Sequence, residues 1–340
     1  MTTFVTLTQE EASQLSHEIL TRYGYSQPHA AAITRNIVAV QRDEGHSHGL
    51  YRLISCVDTL RRGGVSPDAV PRIEDTAPSV VRADANNGCS LLAFEQARPL
   101  LIDKARTNGI ALLAINNSFH FSALWPEVES LAEEGLVALA MTPSHAFVAP
   151  AGGSRPLLGT NPLAFSWPRP GRDPFTFDFA TSMVARGEIE LHRRAGKSIP
   201  DNWAVGEDGL STTDPEEALK GAMLTFGAYK GSALSMMIEL LAGPLIGDVL
   251  GHETRPATTE NSGRPWHGEL LIAIDPHKLL GDTMHYHLEH AETLFEEVLS
   301  QGARLPSQRR YEARMRSKET GINIPEALYK ELTMLRDTSL

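Results

Sequence analysis

Cysteine is nearly absent: Cys56 and Cys89 are the only two, and neither belongs to a metal-spaced cluster. That excludes a disulfide-dense secreted scaffold and a cysteine-ligated zinc site, and it fits a reducing cytoplasm. No G-x-G-x-x-G and no G-x-x-x-x-G-K-[ST] occurs, so neither the usual dinucleotide fingerprint nor the P-loop is present. A nicotinamide enzyme built on this chain needs another cofactor fold. Basic charge does not dominate either. Lys and Arg number 31 against 42 Asp and Glu, a net charge of −11, which argues against a general nucleic-acid surface. The longest apolar stretch, Ala233 to Leu250, is broken by Glu239, Pro244 and Asp248, so it reads as a buried helix and not a membrane span. Met1-Thr2-Thr3-Phe4 shows no basic region followed by an apolar run, and no signal peptide is expected. His285-Tyr286-His287 with His290 lacks H-E-x-x-H spacing, so no metal is expected.

What remains is an ordinary globular composition, 41% hydrophobic and 21% charged over 340 residues, enough for a large core in more than one lobe. The texture divides the chain. Thr8 to Glu11 forms a capping box ahead of Ala12, Leu15 and Ile19, and Ser26 with Pro28 opens a second helix ending near Gly45. Strand signals follow at Pro71–Glu74, Ser79–Ala85, Gly109–Ile115, Leu136–Met141, Leu163–Trp167, Phe175–Phe179 and Leu270–Ile274. Helices are expected at Leu91–Ala105 with Pro99 as a possible kink, at Ala123–Glu134, Thr181–Arg194 and Lys230–Ala242, and late in the chain. Gly251–Gly268 is expected to be a mobile loop. The order is mixed and not a strict βαβ alternation. A helical part, residues 1–75 with about 285–340, is expected beside a sheet-containing part, 76–284, for cofactor and substrate.

Four stretches carry candidate chemistry. In Ser47-His48-Gly49-Leu50-Tyr51-Arg52, Ser47 is placed as an N-cap, His48 in the first turn, and Arg52 at i+4 on the same face. An anion at that helix start would meet free N–H groups, the dipole and a guanidinium together. Spacing alone is met as well by a capped helix with a surface imidazole. Asp178 to Glu188 lies at a strand-to-helix transition, where Glu188 is either a partner for an imidazole or an exposed carboxylate. Gly227-Ala228-Tyr229-Lys230-Gly231 opens an apolar helix with a point charge suited to a phosphate, or is a turn with a solvated Lys. Arg304-Leu305-Pro306-Ser307-Gln308-Arg309-Arg310, with Arg314 and Arg316 beyond, is a basic anomaly in an acidic chain. It suits a phosphate monoester such as the 2′-phosphate of NADP, or is a solvated face.

Together with Asn117-Ser118 through His120-Phe121, Gly159-Thr160-Asn161-Pro162 and Gly196-Lys197 to Ala218, these segments resemble, in order, the malate/L-lactate dehydrogenase family that lacks a Rossmann domain. Within it the chain looks closest to the bacterial reductases of cyclic imino acids. The resemblance implies an α/β fold with a largely antiparallel central sheet flanked by helices, and a homodimer. It also implies NADPH-dependent reduction of Δ1-piperideine-2-carboxylate to L-pipecolate and of Δ1-pyrroline-2-carboxylate to L-proline. Carried over, His48 is the proton donor, with Ser47 and Glu188 completing its relay. Arg52 and Thr160 hold the substrate carboxylate, and Arg186 and Gly187 lie at the substrate. His120, Phe121, Ser122, Ala123 and Leu124 contact the dinucleotide, as do Asp178, Phe179, Ala180, Tyr229, Lys230, and Arg304, Leu305, Pro306, Ser307, Gln308, Arg309 and Arg310. Hydroxyacid members often have Asp where this chain has His46, glycines and a Tyr in place of Ser122 to Pro126, and Pro-Gly-Glu in place of Pro306-Ser307-Gln308. Losing that carboxylate favours NADPH over NADH. A malate, lactate or sulfolactate dehydrogenase is the alternative within the class, an open-chain 2-oxo acid plus amine route another, and a non-catalytic dinucleotide-binding protein the alternative outside it.

Overall fold

A computed structural model describes residues 3–254 and 266–337. The chain runs β1 (Phe4–Leu7), α1 (Gln9–Arg22), α2 (Gln27–Arg42), α3 (Arg52–Arg61), β2 (Arg72–Ala77), β3 (Val80–Asp84), α4 (Ser90–Asn108), β4 (Ile110–Phe119), α5 (Trp125–Ala132) and β5 (Val137–Met141). It continues through β6 (Leu163–Trp167), β7 (Phe175–Phe179), α6 (Arg186–Arg194), β8 (Ala204–Val205), α7 (Pro215–Lys220), β9 (Ala222–Met223) and α8 (Tyr229–Ala242). The last part is β10 (Trp266–Ile274), α9 (Pro276–Leu280), α10 (Met284–Ser300), α11 (Gln308–Thr320), β11 (Ile322–Pro325) and α12 (Glu326–Asp337).

Seven strands form the central sheet in the order β2-β3-β4-β10-β5-β6-β7. Only β3 and β4 are parallel, joined through the crossover helix α4, and the other pairs are antiparallel. The expected mixed α/β fold with a largely antiparallel sheet is therefore what the chain adopts. Period-two alternation splits the central strands between two faces. Ala111, Leu113, Ile115, Leu271 and Ala273 pack beneath α4 and α5 with Ala93, Phe94, Leu101, Val128 and Leu131. Leu112, Ala114, Leu270 and Ile272 pack against Ile238 and Ala242 of α8. Burial on both faces explains why the β4 run is continuously apolar.

The helices α1, α2 and α3 form a separate core with β1, β11 and α12, built on Leu15, Ile19, Ile33, Ile37, Leu50, Leu53 and Leu332. The Thr8 capping box is present: Thr8 Oγ1 accepts from Glu11 N at 3.1 Å, and Glu11 Oε2 accepts from Thr8 N at 2.7 Å. The ribbon β1–β11 was not visible in the sequence, because each strand is four residues long and pairs with the opposite end of the chain. The late segment divides in space. Phe295 on α10 stacks on Phe175 of β7, while α12 packs on α1.

Several expected boundaries shift. Pro99 lies inside α4 without ending it, since Ala93, Phe94, Ala97 and Leu101 hold the helix to the sheet on both sides of it. The segment expected to be helical from Thr181 begins its helix only at Arg186, because Thr181 and Ser182 bond to neighbouring loops. The loop expected at 251–268 falls largely on 255–265, outside the described residues; Trp266 already belongs to β10. No helix among the described residues is long and apolar enough to cross a membrane.

Candidate active site

The head of α3 differs from its expected form. The helix starts at Arg52, with Tyr51 as an N-cap that makes no side-chain bond, and Ser47 to Leu50 form turns. Ser47 is therefore not the N-cap and His48 is not in a helical turn. Two close approaches hold the chain there. A Cβ on Gly45 would stand 2.5 Å from Val40 Cγ1, and one on Gly49 2.3 Å from Gln41 Oε1. The buried Gln41 staples the turn, accepting from Leu50 N at 3.1 Å and lying 3.1 Å from His46 Nδ1 through Nε2. This gives His46 its place, as an exposed side chain on the outer end of that staple. Gly49→Ala is expected to lower stability by about 1–3 kcal/mol through overpacking, read as a fall in Tm, with kcat falling as the turn shifts. An unchanged Tm and kcat would show that Gln41 yields without disturbing the turn.

The turn delivers a short chain of polar contacts. Ser47 Oγ lies 2.9 Å from His48 Nδ1, and Arg52 Nη2 donates to His48 Nε2 at 3.1 Å. A guanidinium only donates, so Nε2 accepts, Nδ1 carries the proton, and Ser47 Oγ receives it. Burial, with the Arg52 charge second, pushes His48 down to about 3. Arg52 Nε is buried and has no partner among the described residues. A cation with spare donors beside a neutral imidazole is prepared for an anion that also offers an atom to protonate.

His120, just past β4, lies near this group; its charged form is disfavoured by burial first, then by His267, His48 and Arg52. Phe121 and Leu124 turn their side chains into the two cores, leaving only their backbone for a ligand. Asp178 accepts from Leu124 N at 2.8 Å and Trp125 N at 3.0 Å, so it caps α5 and fixes the loop 120–124. Burial pushes its carboxyl up to about 6 against the lowering pull of those two donors.

Beside it opens a cleft of about 590 Å³, lined by Trp125 and Phe177, by the carboxyl groups of Asp43, Glu44 and Asp178, and by Arg304, Leu305, Pro306, Ser307, Arg309 and Arg310. The basic run is not uniformly available. Arg310 stacks on Trp125 at 3.7 Å and pairs with Glu129 at 2.7 Å, while Arg314 bridges Asp43 at 2.6 Å and Glu129 at 2.5 Å. Arg316 pairs with Glu44. Ser307 Oγ donates to Thr176 O and receives from Arg310, and Gln308 Oε1 is buried without a partner. Arg304 and Arg309 are exposed and enter no ion pair among the described residues. Asp43 and Glu129, which neutralise Arg310 and Arg314, escaped sequence reasoning because they approach from the end of α2 and from α5.

A second group gathers at the end of β7. Thr181 N donates to Thr160 O at 2.8 Å and Phe226 N to Thr181 O at 3.0 Å, so Thr160, Ala180 and the head of α8 are tied together. Thr160 Oγ1 lies 3.1 Å from Ser144 Oγ, and the buried Asn161 donates to Glu239 at 2.9 Å beneath it. Phe179 meets Phe226 edge-on at 5.7 Å, and Tyr229 and Lys230 are exposed. Arg186 covers the Phe147 ring at 4.1 Å and donates to Leu219 O, which occupies part of its fork, while Gly187 faces open space. Glu188 is exposed and sits 3.8 Å from His192, and among the described residues it makes no ion pair with His48.

The sequence of residues 7–333 matches the family model described as malate/L-lactate dehydrogenase. The chain belongs to that family. It is 56% identical over 331 residues to a Delta(1)-pyrroline-2-carboxylate/Delta(1)-piperideine-2-carboxylate reductase of Pseudomonas aeruginosa, covering 97% of this chain and 99% of that one. A Delta(1)-pyrroline-2-carboxylate reductase of Pseudomonas fluorescens is 54% identical over 98% of this chain and 99% of its own. Among solved structures, delta1-piperideine-2-carboxylate reductase from Pseudomonas syringae pvar. tomato superposes with a TM-score of 0.92 at 43% identity, covering 97% of this chain and 99% of that one. Membership of a dehydrogenase family implies a nicotinamide cofactor, and this chain carries no G-x-G-x-x-G fingerprint.

Proposed function

We propose that the protein reduces cyclic 2-imino acids, Δ1-piperideine-2-carboxylate and Δ1-pyrroline-2-carboxylate, with NADPH. The observation that carries this is the contact between His48 Nε2 and Arg52 Nη2, 3.1 Å, beside a buried Arg52 Nε that has no partner among the described residues. In a 2-imino acid the carboxylate and the imine nitrogen are substituents of one carbon. A guanidinium for the first and an imidazole for the second, side by side, match that arrangement. Arg52 binds the carboxylate through its free donors, and Thr160 lies on a loop braced for a further bond. When bound, the reduced nicotinamide supplies the hydride that C2 receives. With the carboxylate on Arg52, His48 takes up a proton at Nε2 and holds it for the nitrogen, while Ser47 keeps the ring oriented through Nδ1.

For the cofactor, the residues fit. Among the described residues Arg304 and Arg309 enter no ion pair, Arg310 and Trp125 stack, no carboxylate stands in Pro306-Ser307-Gln308, and the carboxyl groups that line the cleft are already engaged, Asp43 by Arg314, Glu44 by Arg316 and Asp178 by Leu124 N. Arg304 and Arg309 would hold a 2′-phosphate, and the backbone of 120–124 and 178–180 would line the remainder. Arg304→Ala with Arg309→Ala is expected to raise KM for NADPH about tenfold or more, from the worth of charged hydrogen bonds, with KM for NADH little changed. Equal loss for both cofactors would place the phosphate elsewhere.

Glu188 is proposed to complete the relay only when bound ligand or a second subunit alters its surroundings, since alone it pairs with His192. A homodimer is supported by α8, whose exposed residues include Tyr229, Met236 and Leu240 beside Lys230, with Leu245 just beyond, these four large side chains being 46–70% exposed. The deciding assay follows NADPH and NADH oxidation with both cyclic imino acids, pyruvate, oxaloacetate, and pyruvate plus methylamine. Turnover confined to the 2-oxo acids alone would establish the hydroxyacid reading instead, and no turnover at all the non-catalytic one.

A further inference from the structure

Behind His120 lies a cluster that the proposed reaction leaves unused. Glu269 on β10 is 0% exposed, and Glu127 on α5 is buried. A register shift in β10 between His267 and Glu269 marks the place, and Glu269 lies on the face of the sheet beneath α4 and α5. Among the described residues none of the four carboxyl oxygens has a hydrogen-bond partner, and neither does His120 Nε2. The His120 side chain is only 5% exposed and directs that nitrogen at Glu269 Oε1, 3.9 Å away. One atom from each of the three residues lies within 4.8 Å of the others. His120 is thus an independent, unpartnered group aimed into the carboxyl pair.

Two carboxyls facing each other in a dry core do not both ionise without a cation. The groups around them supply none. Cys89 and Ser90 stand at the head of α4, Asp178 approaches from β7, and His267 precedes Glu269 on its own strand. Arg52 and His48 bear on His120 electrostatically and disfavour its charged form. A small divalent ion would want neighbouring ligands roughly 3.5 Å apart, from bonds of about 2.1 Å. The His120–Glu269 approach is wider, so a proton is the better occupant.

We propose that Glu127 remains protonated and donates to Glu269, and that Glu269 exchanges a proton through His120 with the His48–Arg52 group. Only protons move. On uptake, a proton binds His120 Nδ1 while the Nε2 proton passes to Glu269 as the 3.9 Å gap closes; on release, Glu269 returns its proton to Nε2 and Nδ1 gives one up. Glu127 and Glu269 then act as positioning residues for the proton supply beside His48. Burial raises both carboxyls, in the direction this requires.

The infrared spectrum of the full-length enzyme tests the first half without any substrate. A carboxylic C=O band is expected at neutral pH, shifted in D2O and lost in Glu127→Gln. Absence of that band, or a metal ion at one equivalent by elemental analysis, overturns the proposal. The second half rests on the reductase reading and is tested by the pH dependence of kcat with NADPH and the cyclic imine. Glu127→Gln should displace a pKa by about one unit or more, and Glu269→Gln should abolish it, with Tm near wild type. A profile unchanged in both folded variants overturns it, and the wild-type spectrum decides if either variant fails to fold.

Discussion

His48→Ala lowers kcat for imine reduction by about two to four orders of magnitude, the range that general acid catalysis contributes, while Tm stays close to wild type. The imidazole is partly accessible and its contacts are with Ser47 and Arg52, so removing it empties the reaction centre without opening either core. Turnover near wild type in this variant removes His48 as proton donor. The pH dependence gives the same assignment a second, independent reading. In the free chain burial and the adjacent Arg52 hold His48 down to about 3, so the imidazole is neutral throughout the working range. A carboxylate on Arg52 cancels the second of those causes. The imidazole then gains a proton more readily in the complex than in the free enzyme. The pKa seen in kcat should therefore lie above the one seen in kcat/KM, because the first reports the complex and the second the free enzyme. Equal values in both would mean that the carboxylate does not sit on Arg52.

Arg52→Ala should raise KM for every 2-carboxylate substrate by thirtyfold or more, since truncating one member of a buried charge pair costs about 2–5 kcal/mol. Arg52→Lys keeps the charge and loses the planar fork. It should recover part of the binding but not its orientation, so KM improves over the Ala variant while kcat stays low. Both variants also release His48 from the neighbouring guanidinium geometry, and a titration of His48 that rises in Arg52→Ala ties the two residues into one unit. An unchanged KM in Arg52→Ala would place the carboxylate at another group, and Thr160 with its Ser144 brace is the next to test.

The sequence carried much of the frame on its own. The apolar run before Ile115, the Thr8 capping box and the helical spacing after Leu50 are local signals, and each produced the element it announced. Neighbours a few residues apart set propensity, capping and periodicity, so a linear reading reaches them. The pair His48 and Arg52 was legible for the same reason, since four residues separate them. Even there the mechanism of placement was wrong in the sequence reading: Gln41, nine residues before Leu50, holds a turn where an N-cap was expected. What only the tertiary structure decided depends on long separations. Asp43 and Glu129 neutralise Arg310 and Arg314 and leave Arg304 and Arg309 free, which sorts a run of like charges into structural and available members. Glu127 and Glu269 are unremarkable in their own segments and become a proton-holding pair only because β10 passes beneath α5. A carboxylate's character is set by what faces it after burial, through desolvation and neighbouring charge, and no spacing rule encodes that.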